Sequence, residues 1–323
     1  MSSFPFVTSQ LIYKLTIGTL IVVSLLTLIG FFGHHAYLEL ATHFRLQYVF
    51  LSAACILLLI NSHSWRVLPL AVVCAALNSL YILPYYSRDF LPVSYAAGTH
   101  LRLMEANVLG SNRNYAALLG SITAAHPDIV VLQELTDEWW NQIQSLHSVY
   151  PFSKAVPRSG GSGMAILSRF PLDSVEVLSF DESTHLALLA RVNVDGTKVS
   201  LLALHPQTPM RKDKFLNRNR QFAQAASIMK ASSGVRIIIG DLNTTMWSPY
   251  FADLVRESGL RDARKGFGLN TTWPMPLPPF LQLPIDHCLV SDEVAVAGFG
   301  TGKRTGSDHR PLVVDLQFRS FAP

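Results

Sequence analysis

The residues of this 323-residue chain that could do chemistry sit where apolar runs begin or end. Asn107 lies near the close of LRLMEANVL, Glu134 near the close of DIVVLQEL, and His205 closes VSLLALH. Asp241 and Asn243 follow RIIIG, Asp286 and His287 open an apolar run, and Asp308 and His309 precede the last one. A carboxylate, amide or imidazole at the end of a buried strand lies at a sheet edge, where such groups from several strands converge. Burying them together without partners is costly, and a shared metal ion with a phosphate group would offset that cost. Taken singly, each position has a plainer reading, because Asn and Asp commonly form turns after strands. The ordered set is what points to a site.

The elements that must position these residues are legible from Leu101 onward. LRLMEANVL reads as a strand, Asn114–Ala125 as a helix and DIVVLQEL as a buried strand after the turn at His126-Pro127-Asp128. Met164–Ser168, Leu172–Phe180, Leu186–Val194 and Lys198–Leu204 read as a run of strands, with turns at Arg169-Phe170-Pro171 and Asp195-Gly196. Asp213–Met229 is amphipathic and helical, VRIIIGDLN is a buried strand, and Ile285–Val290 and Pro311–Phe318 complete the set. Strands joined by both hairpins and helices predict an α/β fold of two packed mixed sheets with helices outside. Trp273–Pro284 (WPMPLPPFLQLP) is too rich in proline to be regular helix or strand.

Asn107, VVLQE with Glu134, GMAILSR, the HP at His205, GDLN at Asp241–Asn243, IDH at Asp286 and SDHRP at Asp308–Pro311 together resemble the endonuclease/exonuclease/phosphatase superfamily, over residues 101–318. The resemblance implies a four-layer α/β sandwich of two mixed β-sheets, the DNase I-like fold, and metal-dependent phosphoester hydrolysis. It makes Glu134 the principal ligand of a metal ion, with Asn107 and Asp308 nearby. These are hard oxygen donors, suited to Mg2+ or Mn2+ rather than Zn2+. It makes His309 the catalytic histidine, oriented by Asp286, and gives Asp241 and Asn243 the positioning of water and a phosphate oxygen. His205 would donate to the non-bridging oxygens. Either Asp241 or His309 would take the proton from water. Leu109 departs from the pattern, standing where abasic-site nucleases of the superfamily carry an acid or amide, and this speaks against DNA repair. His287 and Cys288 are expected to be packing residues, His287 being a lesser candidate for supporting the site.

The two parts of the chain are built for different solvents. Charged residues make up 15% of the chain, and before Arg88 they are Lys14, Glu39, Arg45 and Arg66 alone. Apolar stretches at about Leu15–Phe32, Leu46–Ile60 and Val67–Leu83 predict three transmembrane helices within residues 1–86, flanked by Tyr13, Tyr48, Trp65, Tyr85 and Tyr86. A linker is expected over 87–100 and the catalytic domain over 101–323. The basic residues are spread too evenly to set the orientation. Three cysteines, two of them in the apolar region, exclude a disulfide framework.

A net charge of +4 is modest for a duplex binder, so a nucleic-acid partner is not favoured. Several spans followed by this domain resemble a bacterial membrane-anchored branch of the superfamily, with members associated with polyprenyl-phosphate metabolism. That resemblance implies an integral plasma (inner) membrane protein, an extracytoplasmic catalytic domain and a lipid-linked phosphate or pyrophosphate substrate. The basic run Arg211, Lys212, Lys214, Arg218 and Arg220 would receive an anionic substrate or form a solvated helix face. The apolar loop 273–284 would lie near lipid or form a rigid surface loop. Two other functions are compatible with the sequence: a membrane-tethered non-specific nuclease, and a binding protein with a dead site. The sequence names no protein partner.

Overall fold

Strict alternation and long apolar runs become strands over most of the second part of the chain. The computed structural model describes residues 4–87, 98–180 and 185–319. The chain divides into two units, Met1–Pro84 with Trp247–Pro249, and Tyr85–Met246 with Tyr250–Pro323.

The first unit is built on three helices, α1 (Phe4–Ile29), α2 (Arg45–Asn61) and α3 (Leu68–Ile82). Two helical stretches are long and apolar enough to cross a membrane, the 23 residues Gln10–Phe32 and the 18 residues Leu68–Tyr85. The middle helix has 17 residues, about 25 Å of rise against a hydrocarbon core of about 30 Å. It is apolar like the other two and shorter than either of those stretches. Large apolar side chains point outward from all three helices, among them Leu15, Leu57 and Leu80, each more than 60% exposed. Inside, the helices are joined by a polar chain. The buried Arg45 Nη1 donates to Asn78 Oδ1 (3.0 Å), and Asn78 Nδ2 donates to Thr27 Oγ1 (2.9 Å). The Arg45 guanidinium also lies 4.4 Å from the Tyr81 ring centroid, a favourable cation–π placement.

The second unit holds two six-stranded mixed sheets. The first contains β1 (Gly98–Asn107), β2 (Ile129–Gln133), β3 (Phe152–Val156), β4 (Met164–Ser168), β11 (Val294–Thr301) and β12 (Leu312–Arg319), in the order β11-β12-β1-β2-β4-β3. The second contains β5 (Leu172–Ser179), β6 (Leu186–Val194), β7 (Thr197–Leu204), β8 (Val235–Asp241), β9 (Arg261–Asp262) and β10 (Asp286–Val290), in the order β5-β6-β7-β8-β10-β9. Each has one parallel pair at its centre, β1 with β2 and β7 with β8. Parallel neighbours require a crossover, supplied here by α4 (Tyr115–Ala125) and α6 (Lys212–Ala231). Most of the expected linker, residues 88–97, lies outside the described residues. Its last residues belong to β1, because Gly98 and Thr99 pair with Arg319 and Phe318 of β12.

The inner faces of the two sheets share one core: Leu103, Val131 and Ile166 from the first meet Leu188, Leu201, Ile237 and Cys288 from the second. On the outer face of the first sheet, Met104, Val130 and Leu132 pack with Leu118 and Ile122 of α4 and Trp139 of α5 (Asp137–Gln142). Against the second, Arg236 Nη1 of β8 donates to the carbonyls of Met229, in α6, and Ser258, which ends α7 (Pro249–Ser258). Helices thus flank two sheets, as the strand and helix pattern predicts.

Candidate active site

Both parallel pairs deliver their polar residues to the same end. Asn107 ends β1, Glu134 follows β2, His205 follows β7 and Asp241 ends β8. Strand β10 enters antiparallel beside β8, which sets Asp286 directly opposite Asp241. Three of the turning residues hold left-handed backbones: Leu109 (φ 55°), Glu134 (φ 57°) and Asn243 (φ 50°). That conformation costs a non-glycine residue about 1–2 kcal/mol and is commonest at functional sites. Here it turns the Leu109 N–H onto Asn107 Oδ1 (3.0 Å) and brings Asn243 N–H back to Asp241 Oδ1 (2.9 Å).

Asp241 is the hub. Its Oδ2 accepts from Asn107 Nδ2 (3.2 Å) and lies 3.5 Å from His205 Nε2 and 3.6 Å from His309 Nε2. His309 is buried, and its Nδ1 faces both oxygens of Asp286, at 3.1 and 3.0 Å. Burial opposes the imidazolium, but the carboxylates of Asp286 and Asp241 overcome it and push the His309 pKa up to about 10. Burial likewise lifts both carboxyls. At Asp286 the His309 charge and hydrogen bond prevail and hold it below the usual carboxylate range. At Asp241 burial prevails over the pull of His309, and the group stays above that range. Two acids flanking one histidine are thus driven apart, an arrangement suited to dividing catalytic roles.

Asn107 Nδ2 also donates to Glu134 Oε1 (3.1 Å), and the Gly110 N–H donates to Glu134 Oε2 (3.3 Å). The amide of Asn107 therefore bridges two carboxylates as a donor, and must turn over to offer its oxygen to a cation. Asp308 is engaged elsewhere: its Oδ2 accepts from Trp273 Nε1 (3.0 Å), and its carbonyl accepts from Met275 N–H (2.8 Å). Asn243 spends its amide on the Pro206 carbonyl (3.0 Å). His287 is turned toward Thr244 and Phe251. Its Nε2 meets the Thr244 carbonyl (2.8 Å), its ring packs on Phe251, and burial, followed by Arg264, lowers its pKa to about 3. Cys288 lies in the core between the sheets. The basic run is divided: Arg211 pairs with Asp213, whereas Arg218 is buried among Phe215, Phe222 and Tyr250 and reaches the Asn243 carbonyl.

The donor set fits a divalent cation. Asp241 and Asp286 gather carboxylate oxygens at His309, Glu134 adds another on the far side of the Asn107 amide, and such hard oxygens suit Mg2+ or Mn2+. Ligand atoms of Asp241, Asp286 and His309 also fall within 4.8 Å of one another. A cation there would compete with the proton on His309, so the Glu134 side, free of imidazolium, is the better seat.

Four residues of the site carry no role in the sequence pattern, although Gln133 stands in the VVLQE run. Gln133, fully buried, spans the sheets: its Nε2 donates to the Leu204 carbonyl (3.0 Å) and its Oε1 accepts the Asp241 N–H (2.9 Å). Gly240 makes room for it, since a Cβ would lie 2.1 Å from the Leu204 oxygen and 2.3 Å from Gln133 Nε2. Arg264 is buried and donates to the main-chain carbonyl of Asp286. His185 sits edge-on to His205, ring centroids 5.6 Å apart, and burial, followed by His205, lowers its pKa to about 4. A polar residue inside an apolar strand was the available signal for Gln133; Arg264 and His185 offered none.

Glu105 is the fourth. It shares the inner face of β1 with Leu103 and Asn107, is wholly buried, and neither carboxyl oxygen has a hydrogen-bond partner among the described residues. Burial, then the Asp286 and Asp241 charges, raise its pKa well above the ordinary 4.5. Glu105 therefore keeps its proton in the folded state and loses it on unfolding at any pH above the unfolded value. Its effect on stability is neutral below about pH 4.5 and increasingly unfavourable as pH rises toward the folded pKa. Glu105→Gln should gain stability relative to wild type by up to about 1.4 kcal/mol per pH unit across that window. Thermal unfolding in detergent at a series of pH values measures the slope, and parallel curves for the two proteins would refute it.

Residues 104–309 match the model of the Endonuclease/Exonuclease/phosphatase family. Among solved structures, TDP2 from D. rerio in complex with a single-strand DNA product is similar, with 19% identity and a TM-score of 0.58. The match covers 67% of this chain and 98% of that one. A mannosyl-6-phosphatase of Bacteroides thetaiotaomicron is similar at 18% identity and TM-score 0.56, over 68% of this chain and all of that one. A third, an endonuclease/exonuclease/phosphatase from Beutenbergia cavernae, gives 18% identity and TM-score 0.55, over 68% of this chain and 72% of that one. At these identities the likeness is one of fold. No curated protein matches the sequence.

Proposed function

The chain belongs to the endonuclease/exonuclease/phosphatase family, and from that premise we propose a membrane-anchored, divalent-metal-dependent phosphoesterase acting on a lipid-linked phosphate ester or pyrophosphate. The observation that carries the chemistry is His309, held through Nδ1 by Asp286 and presenting Nε2 toward Asp241 at 3.6 Å. A histidine already protonated cannot take a proton from water. His309 therefore donates to a phosphoryl oxygen, and Asp241, the carboxyl with the raised pKa, is the general base. His205, 3.5 Å from Asp241, supplies a second donor for the charge that builds on the phosphoryl oxygens. Gln133 fixes the Asp241 main chain, so the base does not drift when water is taken up. A divalent cation held by Glu134, with Asn107 beside it, would supply Lewis-acid charge to the phosphoryl group.

The anchor rests on the two long apolar helices and on the outward-facing Leu, Ile, Val and Phe side chains of the first unit. Contiguous apolar surface of that kind calls for a hydrocarbon surround. Anchorage in the plasma membrane with the catalytic unit outside the cytoplasm is part of the same reading. The nuclease alternative loses ground with the division of the basic run, since Arg218 is buried and Arg211 is paired with Asp213.

The test is a substrate panel on the detergent-solubilised full chain, with Mg2+ or with chelator, offering DNA, sphingomyelin, inositol phosphates and polyprenyl pyrophosphate. Mg2+-dependent release of phosphate from the polyprenyl pyrophosphate is expected. Ready degradation of DNA with the pyrophosphate untouched would sink the proposal.

A further inference from the structure

The stretch Gly266–Ile285 contains no Lys, Arg, Asp or Glu, although it is built against the catalytic histidine. Thr272 accepts the Arg310 N–H on its carbonyl (3.0 Å), and Met275 N–H reaches the Asp308 carbonyl (2.8 Å), so the loop is hydrogen-bonded on both sides of His309. The Trp273 indole binds the Asp308 carboxylate (3.0 Å), with its ring centroid 6.5 Å from that of His309. Beyond these ties, Pro276, Leu277, Pro278, Pro279, Phe280 and Leu281 are all exposed in succession. Leu277, Phe280 and Leu281 stand 41, 47 and 45% exposed.

This exposed run is held rigid from beneath. Gln282 is buried, accepts from Thr271 Oγ1 (3.0 Å), and donates to the Leu277 carbonyl (2.5 Å). Trp273 and Leu283 close its base as an isolated bridge. A run of exposed apolar residues on a preorganised frame is a defect in a protein surface unless it binds something. The binding partner must be uncharged and apolar: a stretch with no cation cannot neutralise nucleic-acid phosphates. The partner must also continue from a group at His309.

We propose that Leu277, Phe280 and Leu281 form the seat for the hydrocarbon chain of the substrate, next to the phosphate held at His309. This rests on the lipid-phosphate reading above and specifies where that lipid lies. The loop selects substrate by burying methylenes farther along the chain than a butyl group reaches, and shorter chains forgo that burial.

The experiment compares butyl and decyl pyrophosphate on the full chain in detergent, for wild type and for Leu277→Ser/Phe280→Ser/Leu281→Ser. Partitioning of the decyl substrate into micelles is the same for both proteins, so it cancels between them. The decyl-to-butyl ratio of kcat/KM should fall about tenfold in the serine variant, equivalent to losing the burial of about two methylenes. Leu277→Ile/Phe280→Leu/Leu281→Ile should keep the wild-type ratio. An unchanged ratio in the serine variant would overturn the assignment, because chain preference would then come from the micelle or bilayer. Proportional loss on both substrates would also overturn it, leaving the loop a merely structural part. Wild type that cleaves neither pyrophosphate yet degrades DNA would instead refute the phosphoesterase reading on which the seat depends.

Discussion

Alanine at position 309 should lower kcat roughly a thousandfold, because it removes a charged donor to the phosphoryl oxygens together with the charge that sets Asp241. The loss should appear in kcat far more than in KM, since the imidazolium is aimed at charge that grows in the transition state. The pH profile gives an independent readout. His309 has its pKa raised from 6.5 to about 10, so the active, protonated form prevails below about 10 and the rate should decline as pH rises through that value. The acid limb runs the other way. Asp241 must be ionised to act as base, and its pKa lies above the usual carboxylate range, so the rate should fall as pH drops through it. Asp286→Asn keeps the shape of the pair and removes its charge. It should bring the alkaline limb down toward the ordinary histidine value near 6.5, a shift that a purely structural role for Asp286 would not produce.

The second large effect is expected at Glu134. Glu134→Gln keeps one acceptor oxygen and turns the other into an NH2 donor, so it retains one of the two hydrogen bonds that Glu134 accepts from Asn107 Nδ2 (3.1 Å) and the Gly110 N–H (3.3 Å). The substitution removes one full negative charge from the seat of the cation. At least a hundredfold loss of Mg2+-dependent rate is expected, with a matching rise in the Mg2+ concentration for half-maximal activity. Calorimetric titration with Mn2+ checks the affinity without reference to turnover. Unaltered cation binding in Glu134→Gln would move the cation to the Asp241, Asp286 and His309 cluster, whose ligand atoms lie within 4.8 Å of one another.

The local rules that make strands and turns were sufficient for much of this. Period-2 alternation and apolar runs mark β1, β2, β4, β5, β6, β7, β8, β10 and β12, and Asn107, His205, Asp286 and His309 at the ends of such runs meet around Asp241. The strands that local pattern does not mark have weak signals of their own. Strand β3 is a half-exposed edge, β9 has two residues, and β11 is the opposite edge, carrying Gly298 and Gly300. These form because a neighbouring strand offers them a ladder, a fact no short window of sequence contains. The amphipathic α7 carries no comparable apolar run of its own, and α2 is shorter than the two apolar helical stretches Gln10–Phe32 and Leu68–Tyr85.

The order of site residues along the chain, the chemistry of their side chains and the apolar character of the first unit were determined by the sequence alone, because each depends on residue type and near neighbours. Only the tertiary structure decided how those groups share partners. The β8–β10 register sets Asp286 against Asp241, and the stacking of two sheets lets Gln133 reach across to Leu204 and Asp241. The same packing seals Glu105 beneath the site, buries Arg218, and gives Asp308 to Trp273. Register, burial and hydrogen-bond competition are settled between segments distant in sequence, so they belong to the fold rather than to any motif.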